Sequence, residues 1–182
     1  MIRTGLYLFA GLLLGLAIHL VVILVLPRVA TNDLGTRIAA ISEPGVLQVL
    51  PPVPAGAANP LRLDPALAYA VCRLDLSKGP GVLTGTLPRA FWSVGVHGTG
   101  GNVIYSTTNR DGIGQNLDLG IFNAVQTRLL AEQKIDVEQG LLIVESPVDE
   151  VIIVVRLAPE QPVMRARYED ALKGLACGNI KL

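Results

Sequence analysis

The chain has 182 residues, in which 15 Lys and Arg balance 15 Asp and Glu, so that the formal net charge is zero. This balance argues against a nucleic-acid surface based on bulk positive charge, and an aromatic content of 4% argues against base-stacking platforms. The length suffices for one domain and an appendage. Because apolar residues are concentrated near the N-terminus, the sequence predicts a membrane-anchored globular protein without a nucleic-acid partner.

The apolar N-terminal segment predicts a membrane anchor. Residues 6–26 carry no charged side chain, and at about 1.5 Å per residue they span the roughly 30 Å hydrocarbon core of a bilayer as a helix. We therefore expect a transmembrane anchor over residues 1–27. The alternative is a cleaved signal peptide, whose apolar region normally has about 7–15 residues. Cleavage after Ala30 would also place Arg28 where a small residue is required.

The charges that flank the anchor give its orientation only by a narrow margin. Arg3 and the N-terminal amine lie on one side, and Arg28 and Arg37 lie on the other, which is close to a tie under the positive-inside rule. A short tail followed by a foldable domain most often leaves the tail inside and exports the domain. We therefore expect a single-pass protein with an extracytoplasmic domain.

One face of the anchor carries small and polar residues. Gly11, Gly15 and His19 follow one another in steps of four, and such steps share a helix face. This spacing predicts a helix-packing face on which His19 hydrogen-bonds across the contact. The alternative is that glycine is common in membrane helices and that His19 reaches interfacial water.

After the anchor, the sequence predicts a connector over residues 28–60 and a β-rich globular domain over residues 61–182. Within the connector we expect a short helix at 34–41 and a short strand at 46–50. Residues 51–60 form a Pro- and Ala-rich stretch with little to bury. This stretch is typical of an extended spacer.

The predicted domain is of the α+β class, with a mainly antiparallel sheet and a C-terminal amphipathic helix. Residues 91–97 and 102–107 flank a Gly-dense turn and predict a hairpin. Residues 151–155 are apolar without alternation, which predicts a central strand covered on both faces. The C-terminal helix is predicted at 162–175, with an apolar stripe of Met164, Tyr168, Leu172 and Leu175. Further strands are predicted at 65–75, 82–87, 117–122, 141–145 and 150–157, and a further helix at 125–133.

The residues that could support catalysis are few. His97 is the only histidine outside the anchor, and it lacks the companions that a zinc site requires. The glycines at 98–101 lack the Lys and Ser or Thr of a phosphate-binding loop and are explained by turn chemistry. We expect no catalytic residues, no metal and no cofactor. Arg110, Asp111 and His97 are weak candidates for binding.

Two cysteines, Cys72 in a predicted strand and Cys177 at the end of the predicted last helix, lie far apart in sequence. In an oxidising compartment they would form a disulfide that closes the domain, worth roughly 4–5 kcal/mol in the chain-entropy model. The alternative is a pair of buried thiols in a cytoplasmic domain. We favour the disulfide because it agrees with the exported orientation.

A set of motifs between residues 64 and 106 resembles an uncharacterised bacterial family, domain of unknown function 1254. The motifs are, in chain order, Asp64-Pro65, Val71-Cys72-Arg73-Leu74-Asp75-Leu76, Leu87-Pro88, Phe91-Trp92-Ser93-Val94 and Asn102-Val103-Ile104-Tyr105-Ser106. The chain is similar to the short, membrane-anchored form found in some proteobacteria. The resemblance implies a β-rich domain of the cell envelope, attached to the inner membrane and periplasmic, with no established activity.

The resemblance also bears on partners. Longer relatives carry a second uncharacterised domain, numbered 1214, in the same chain, which implies that a separate companion membrane protein completes this one. The chain departs from the family pattern at His97-Gly98, where a Tyr or His followed by an acidic residue is expected. No catalytic residue is carried over from the family.

Three functions follow from these observations. The first is a non-catalytic binding or assembly module anchored in the lipid bilayer. The second is a small structural subunit of a membrane complex, in which Gly11, Gly15 and His19 pack on neighbouring helices, including those of further copies of the chain. The third is a hydrolase that uses Asp111, Arg110 and His97.

Overall fold

The computed structural model describes residues 2–29, 34–54, 56–110, 115–132 and 140–180. Its contacts divide the chain into two units, Met1–Asp33 and Leu34–Leu182. The first unit contains one apolar helix, and the second contains β-sheets with shorter helices. The predicted α+β class is therefore confirmed.

The first unit is the helix α1, Ile2–Val29. Its apolar part, Ile2–Leu26, has 25 residues and a mean hydropathy of 2.8, and none of it is buried within the protein. At about 1.5 Å per residue this part is about 38 Å long. By its length and composition α1 can cross a membrane.

The second unit has nine strands and three α-helices among the residues that the structure describes. The helices are α2 (Leu34–Ala39), α3 (Ala124–Glu132) and α4 (Arg165–Lys173). The strands are β1 (Gln48–Val49), β2 (Ala68–Asp75), β3 (Gly81–Thr86), β4 (Phe91–Gly98), β5 (Val103–Thr108), β6 (Asn116–Asn123), β7 (Leu142–Ser146), β8 (Glu150–Ala158) and β9 (Ala176–Asn179).

The strands form two sheets. The five-stranded sheet has the order β1-β2-β8-β4-β5, and all of its neighbouring strands are antiparallel. The four-stranded sheet has the order β7-β6-β3-β9, in which β6 and β7 are parallel. The predicted hairpin is confirmed as β4 and β5. The turn at Ser146 and Pro147 leads from one sheet to the other, because β7 and β8 belong to different sheets.

A single hydrophobic core takes side chains from both sheets and from α4. The alternate residues Cys72 and Leu74 of β2 enter this core beside Ile153 and Val155 of β8. Leu119 contributes from the four-stranded sheet. Because a strand points successive side chains to opposite faces, the same strands also have a second, outer face.

The outer face is the side of the five-stranded sheet opposite the shared core, and a second hydrophobic cluster lies on it. Tyr69, Val71 and Ile152 of this face pack with Ile38 and Leu50. Strand β8 is thus covered on both faces, which confirms the prediction from its unbroken apolar run.

The segment that covers the outer face comes from the region predicted as a connector. The globular unit begins at Leu34, and the side chains of Ile38 and Leu50 are buried at 2% and 4% exposure. Strand β1 pairs with β2 over two residues. We call the described residues between 34 and 67 the roof; they include α2, β1 and the Pro-rich stretch that follows β1.

The predicted disulfide is present, but Cys177 lies in a strand rather than at the end of a helix. The S–S distance between Cys72 and Cys177 is 2.07 Å, across a separation of 105 residues. Helix α4 ends at Lys173, and Gly174 leads into β9, which pairs with β3. The disulfide therefore joins β2 of one sheet to β9 of the other.

Candidate functional site

The strand register places polar side chains at two levels of the outer face. Arg156 of β8 pairs with Tyr69 of β2, and His97 of β4 pairs with Ile152 of β8. Residues 152 and 156 are four apart, which separates the two levels by about 13 Å along the strand. The polar groups of the two levels can form one site only if a side chain at one level extends along the face toward the other.

His97 leans in this way because the residue beside it on the same face is glycine. A Cβ added to Gly95 would lie 2.7 Å from Nε2 of His97, so the ring occupies the space above Gly95. Gly95 pairs with Val154, which lies between the levels of Ile152 and Arg156. The imidazole therefore extends toward the level of Arg156.

A cavity of about 170 Å³ lies between this part of the sheet and the roof. Half of the lining residues belong to the sheet, which forms the floor of the cavity, and the other half belong to the roof. The lining residues are Tyr69, Val71, His97, Val154 and Arg156 from the sheet and Ile38, Leu50, Leu61, Arg62 and Leu63 from the roof. We call this the His97 cavity.

The surroundings of His97 favour the neutral form of its imidazole ring. Its partial burial lowers the pKa of the imidazole below the usual 6.5, and the positive charge of Arg156 lowers it further. The Gly101 backbone acts in the opposite direction. Among the described residues, the Nδ1 atom of His97 has no hydrogen bond of good geometry and is enclosed by protein. The Nε2 atom, above Gly95, is therefore the ring nitrogen that is placed to meet a ligand.

Tyr69 presents a hydroxyl group at the other level of the cavity. Its oxygen accepts a hydrogen bond of 3.1 Å from the Asp64 N–H. A tyrosine hydroxyl both donates and accepts, and in the part of the chain that the structure describes this acceptor bond is its one hydrogen bond. The hydroxyl proton of Tyr69 is therefore free to be donated to a ligand.

Arg62 lies in a strained loop of the roof. Its φ angle is +52°, the only positive value for a described residue other than glycine. For such a residue this conformation costs of order 1 kcal/mol. Asn59 holds the loop, because its side chain donates to the Leu63 carbonyl at 2.7 Å and accepts from the Leu63 N–H at 2.8 Å. The fold thus maintains an unfavourable backbone at an arginine that lines the cavity.

A second, larger cavity of about 360 Å³ adjoins the first beneath the Pro-rich stretch. Leu50, Leu61 and Leu63 line both cavities. The second cavity is otherwise bounded mainly by Pro, Val, Ile and Ala side chains, with Gln48 and Asn59 as its polar residues. The three leucines are therefore shared walls between a partly charged cavity and an apolar one.

The structure places the three weak binding candidates differently. His97 lines the cavity. Arg110 does not line it, and the hairpin register separates Arg110 from His97, which pairs with Val103 at one end while Thr108 leads to Arg110 at the other. The Arg110 N–H donates to Oγ1 of Thr108 at 3.3 Å. Asp111 lies outside the described residues.

The predicted helix-packing residues lie in α1. Gly11, Gly15 and His19 are all exposed, and a Cβ at either glycine would meet nothing within 4 Å. The packing contact itself stays a prediction.

Tyr69, Arg62 and Arg156 were not found by reasoning from the sequence. Arg156 was recognisable only as a polar residue that follows an apolar run in a strand. Arg62 follows the spacer and carries no sequence signal for its left-handed backbone. Their convergence with His97 depends on strand register and on the roof, neither of which a single sequence specifies.

The arrangement is suited to binding an anion rather than to acid–base chemistry. The described residues that line the His97 cavity include two arginines, a histidine and a tyrosine but no Asp or Glu. Across the described ranges, no three His, Cys, Asp or Glu residues are grouped so that they could hold a metal ion. The cavity therefore offers hydrogen-bond donors and positive charge without a carboxylate partner.

Comparisons with known proteins give a fold relationship and no function. No family model matches the chain, and no curated protein matches it significantly. The chain is similar in structure to the VPA0106 protein of Vibrio parahaemolyticus, with a TM-score of 0.57 and 8% sequence identity. The similarity covers 80% of this chain and 32% of the Vibrio protein, so the chain corresponds to about a third of that protein. Membership of the family of domain of unknown function 1254 stays a prediction.

Proposed function

We propose that this chain is a single-pass protein of a bacterial cell envelope, held in the inner membrane by α1. In this proposal its β-rich domain lies on the periplasmic side and acts as a non-catalytic binding or assembly module. The resemblance to domain of unknown function 1254 supports the envelope location by analogy. The length and composition of α1 support the anchor.

The observation that carries the proposal is the disulfide between Cys72 and Cys177. Disulfides form and persist in oxidising compartments and are rare in the cytosol. This bond joins the two sheets of the domain, so a location in a reducing compartment would remove a cross-link that spans the fold. Together with a helix able to cross a membrane, the bond supports a domain exported and then held at the membrane.

Binding is favoured over catalysis by the contents of the His97 cavity. A histidine that acts as a general base is usually oriented by a carboxylate, and the described residues that line this cavity include no Asp or Glu. The set of Asp111, Arg110 and His97 on which a hydrolase would depend is not supported, because Arg110 and His97 lie at opposite ends of the β4–β5 hairpin.

A structural subunit of a membrane complex is the second candidate. The observation that favours it is the four-residue spacing of Gly11 and Gly15 on α1, because two small residues on one face allow another helix to approach closely. The partner would be a second copy of the chain or a companion membrane protein that carries domain of unknown function 1214. Replacement of both glycines by Leu should then release the protein from the complex in a mild detergent extract.

Thiol labelling tests the proposed location. A small membrane-impermeant biotin-maleimide is added to intact cells that express the full chain, with or without prior reduction, and labelled protein is detected by its biotin on a blot. We expect labelling in intact cells only after reduction, and at Cys177, which is partly exposed, rather than at Cys72, which is fully buried. Reaction without reductant, and only after lysis, would show two cytoplasmic thiols and reject the proposal.

The opposite end of α1 provides the matched control. An Ile2→Cys substitution in a chain that also carries Cys72→Ser and Cys177→Ser places the single thiol before the membrane-spanning segment. This thiol should react only after lysis if the domain is exported. Reaction of this control in intact cells would reverse the proposed orientation.

A further inference from the structure

We propose that the His97 cavity binds a small organic carboxylate that also carries an apolar group. In this proposal Arg62 and Arg156 hold the carboxylate, His97 and Tyr69 donate to it, and the apolar group lies against the shared leucines of the roof. The inference rests on the proposed function, because it names the class of ligand that the binding module takes.

The charges at the cavity favour an anion. Neither Arg62 nor Arg156 has an ion pair or a side-chain hydrogen bond within the part of the chain that the structure describes. Both arginines are exposed residues that also line the cavity, so each side chain is accessible to solvent at its edge. An arginine binds a carboxylate through two parallel hydrogen bonds, which gives both attraction and orientation.

The groups deeper in the cavity complete the set of donors. The Nε2 atom of His97 lies above Gly95, on the side of the ring that faces the level of Arg156, and the Tyr69 hydroxyl accepts from Asp64 while keeping its own proton. A bound carboxylate would accept from both groups, because each of its oxygens accepts more than one hydrogen bond. Gly95 has a part in this arrangement, since any larger side chain there would displace the ring of His97.

The strain at Arg62 is a second, independent sign of function. A non-glycine residue in the left-handed region persists only where the surrounding structure enforces it, and such residues cluster at ligand sites. Here the enforcing contacts are the two hydrogen bonds between Asn59 and Leu63. Glycine would fit this backbone without strain, so the presence of Arg is better explained by its guanidinium group than by folding.

The rest of the lining favours a ligand with an apolar part over an inorganic anion. Six of the ten residues that line the His97 cavity are aliphatic, namely Ile38, Leu50, Leu61, Leu63, Val71 and Val154. A phosphate or sulfate ion could use the same donors but would leave these aliphatic walls without an apolar partner. The volume of about 170 Å³ is below the roughly 300 Å³ at which pockets for drug-sized ligands begin. The ligand is therefore small, and its apolar group faces Leu50, Leu61 and Leu63, beyond which the second, apolar cavity lies.

Calorimetric titration of the full chain in lipid nanodiscs tests this inference, with empty nanodiscs as the blank. The probes are hexanoate, its neutral counterpart hexanamide, and acetate, which has the charge without the chain. We expect hexanoate to bind and both other probes to bind at least about tenfold more weakly, hexanamide because it lacks the charge that pairs with arginine and acetate because it lacks the apolar chain. Equal binding of hexanamide, equal binding of acetate, or no binding of hexanoate above the blank would overturn the proposal.

Variants assign the binding to this cavity. Arg156→Gln and Arg62→Gly should each weaken hexanoate binding at least about tenfold, and Arg62→Gly should do so without loss of thermal stability because it removes the backbone strain. Arg128→Gln is the matched control, since Arg128 is an exposed arginine on α3 and does not line the cavity. Hexanoate binding that is unchanged in both cavity variants, or weakened equally by the control, would reject the assignment.

The two proposals can fail separately. Thiol labelling reports the compartment of the domain whatever ligand it binds, and the titration reports the ligand whatever the compartment. A correctly exported domain that does not bind hexanoate would leave the proposed location standing and reject the ligand class.

Discussion

The two faces of the five-stranded sheet differ in what they contact, although the same strands form both. On the inner face Ile153 and Val155 are fully buried in the core shared by the two sheets. On the outer face Val154 is partly buried and Arg156 is exposed. The sheet is therefore a structural element on one side and the floor of a candidate site on the other.

This difference follows from what covers each face. The inner face meets a second sheet and α4, whereas the outer face meets the roof, which is joined to the sheet by a two-residue strand and a few backbone hydrogen bonds such as that from the Leu50 N–H to the Tyr69 carbonyl. A lightly held cover leaves space for a cavity and for polar side chains. We infer that the inner face carries most of the stability and that the outer face tolerates the features that binding requires.

Removal of the disulfide should have the largest effect on stability, because the bond holds the two walls of the inner core together. We expect Cys72→Ala with Cys177→Ala to lower the free energy of unfolding by about 4–5 kcal/mol, the chain-entropy value for a loop of about 100 residues. Chemical denaturation of the full chain followed by circular dichroism measures this change. Reductant should destabilise the wild type to a similar extent and leave the double variant unchanged; a double variant as stable as the wild type would show that the bond contributes little.

Two neighbouring valines compare the faces directly. Val155→Ala removes two methyl groups from the inner face, and Val154→Ala removes the same groups from the outer face. We expect Val155→Ala to cost about 2 kcal/mol, at about 0.8 kcal/mol for each buried group plus the cavity that remains, and Val154→Ala to cost about half as much. Denaturation midpoints measured under the same conditions give the difference. An equal or reversed order would mean that the roof contributes as much stability as the shared core.

Sequence patterns predicted the inner face better than the outer one. The apolar run of β8 and the Gly-dense turn between β4 and β5 are local signals, and both predictions were confirmed. Strand β9 gave no such signal, because residues 176–179 are Ala, Cys, Gly and Asn and lack the β-branched and aromatic residues that favour strands. Its pairing with β3 is decided by tertiary contacts, with the disulfide as one of them.

The candidate site could be predicted only in part. His97 was identifiable because it is the only histidine outside the apolar helix. Arg62 and Arg156 were not, since an exposed arginine is ordinary in any sequence and these two are 94 residues apart. Most of the roof falls within the connector predicted over residues 28–60, because a Pro- and Ala-rich stretch has no periodicity that shows what it will cover. Sites assembled from distant, individually unremarkable residues depend on the three-dimensional register.

Gly95→Ala should disturb the outer face while leaving the inner face intact. The added Cβ would lie 2.7 Å from Nε2 of His97, and the ring can swing away because it is the end of a side chain. Alanine also loses less backbone entropy than glycine on folding, by about 0.5–1 kcal/mol. We therefore expect stability to change by less than about 1 kcal/mol, while the nuclear magnetic resonance signals of the His97 ring shift.

A second substitution separates the effect of the collision with His97 on stability from the effect of the lower backbone entropy of alanine. Gly95→Ala combined with His97→Ala removes the collision and keeps the entropic gain, so it should be more stable than His97→Ala alone by about 0.5–1 kcal/mol. A Gly95→Ala protein with an unchanged His97 signal would contradict the position of the ring.

The smallest expected effect is a dependence of stability on pH that comes from His97. Burial and the charge of Arg156 lower the pKa of its imidazole below 6.5 in the folded protein. Between the unfolded and the folded pKa values the unfolded chain therefore binds more protons, so stability is complete above about pH 6.5 and falls as the pH decreases through this window. The pKa of Asp75 is lowered from 3.8, mainly by its hydrogen bond with Ser77, so the stability that Asp75 contributes is lost only at more acidic pH.

His97→Gln should remove the loss of stability between about pH 7 and about pH 5, as measured by urea midpoints at constant ionic strength. His19 is present in both proteins and cancels in the comparison, so identical pH profiles would show that the folded protein does not disfavour the charged form of His97.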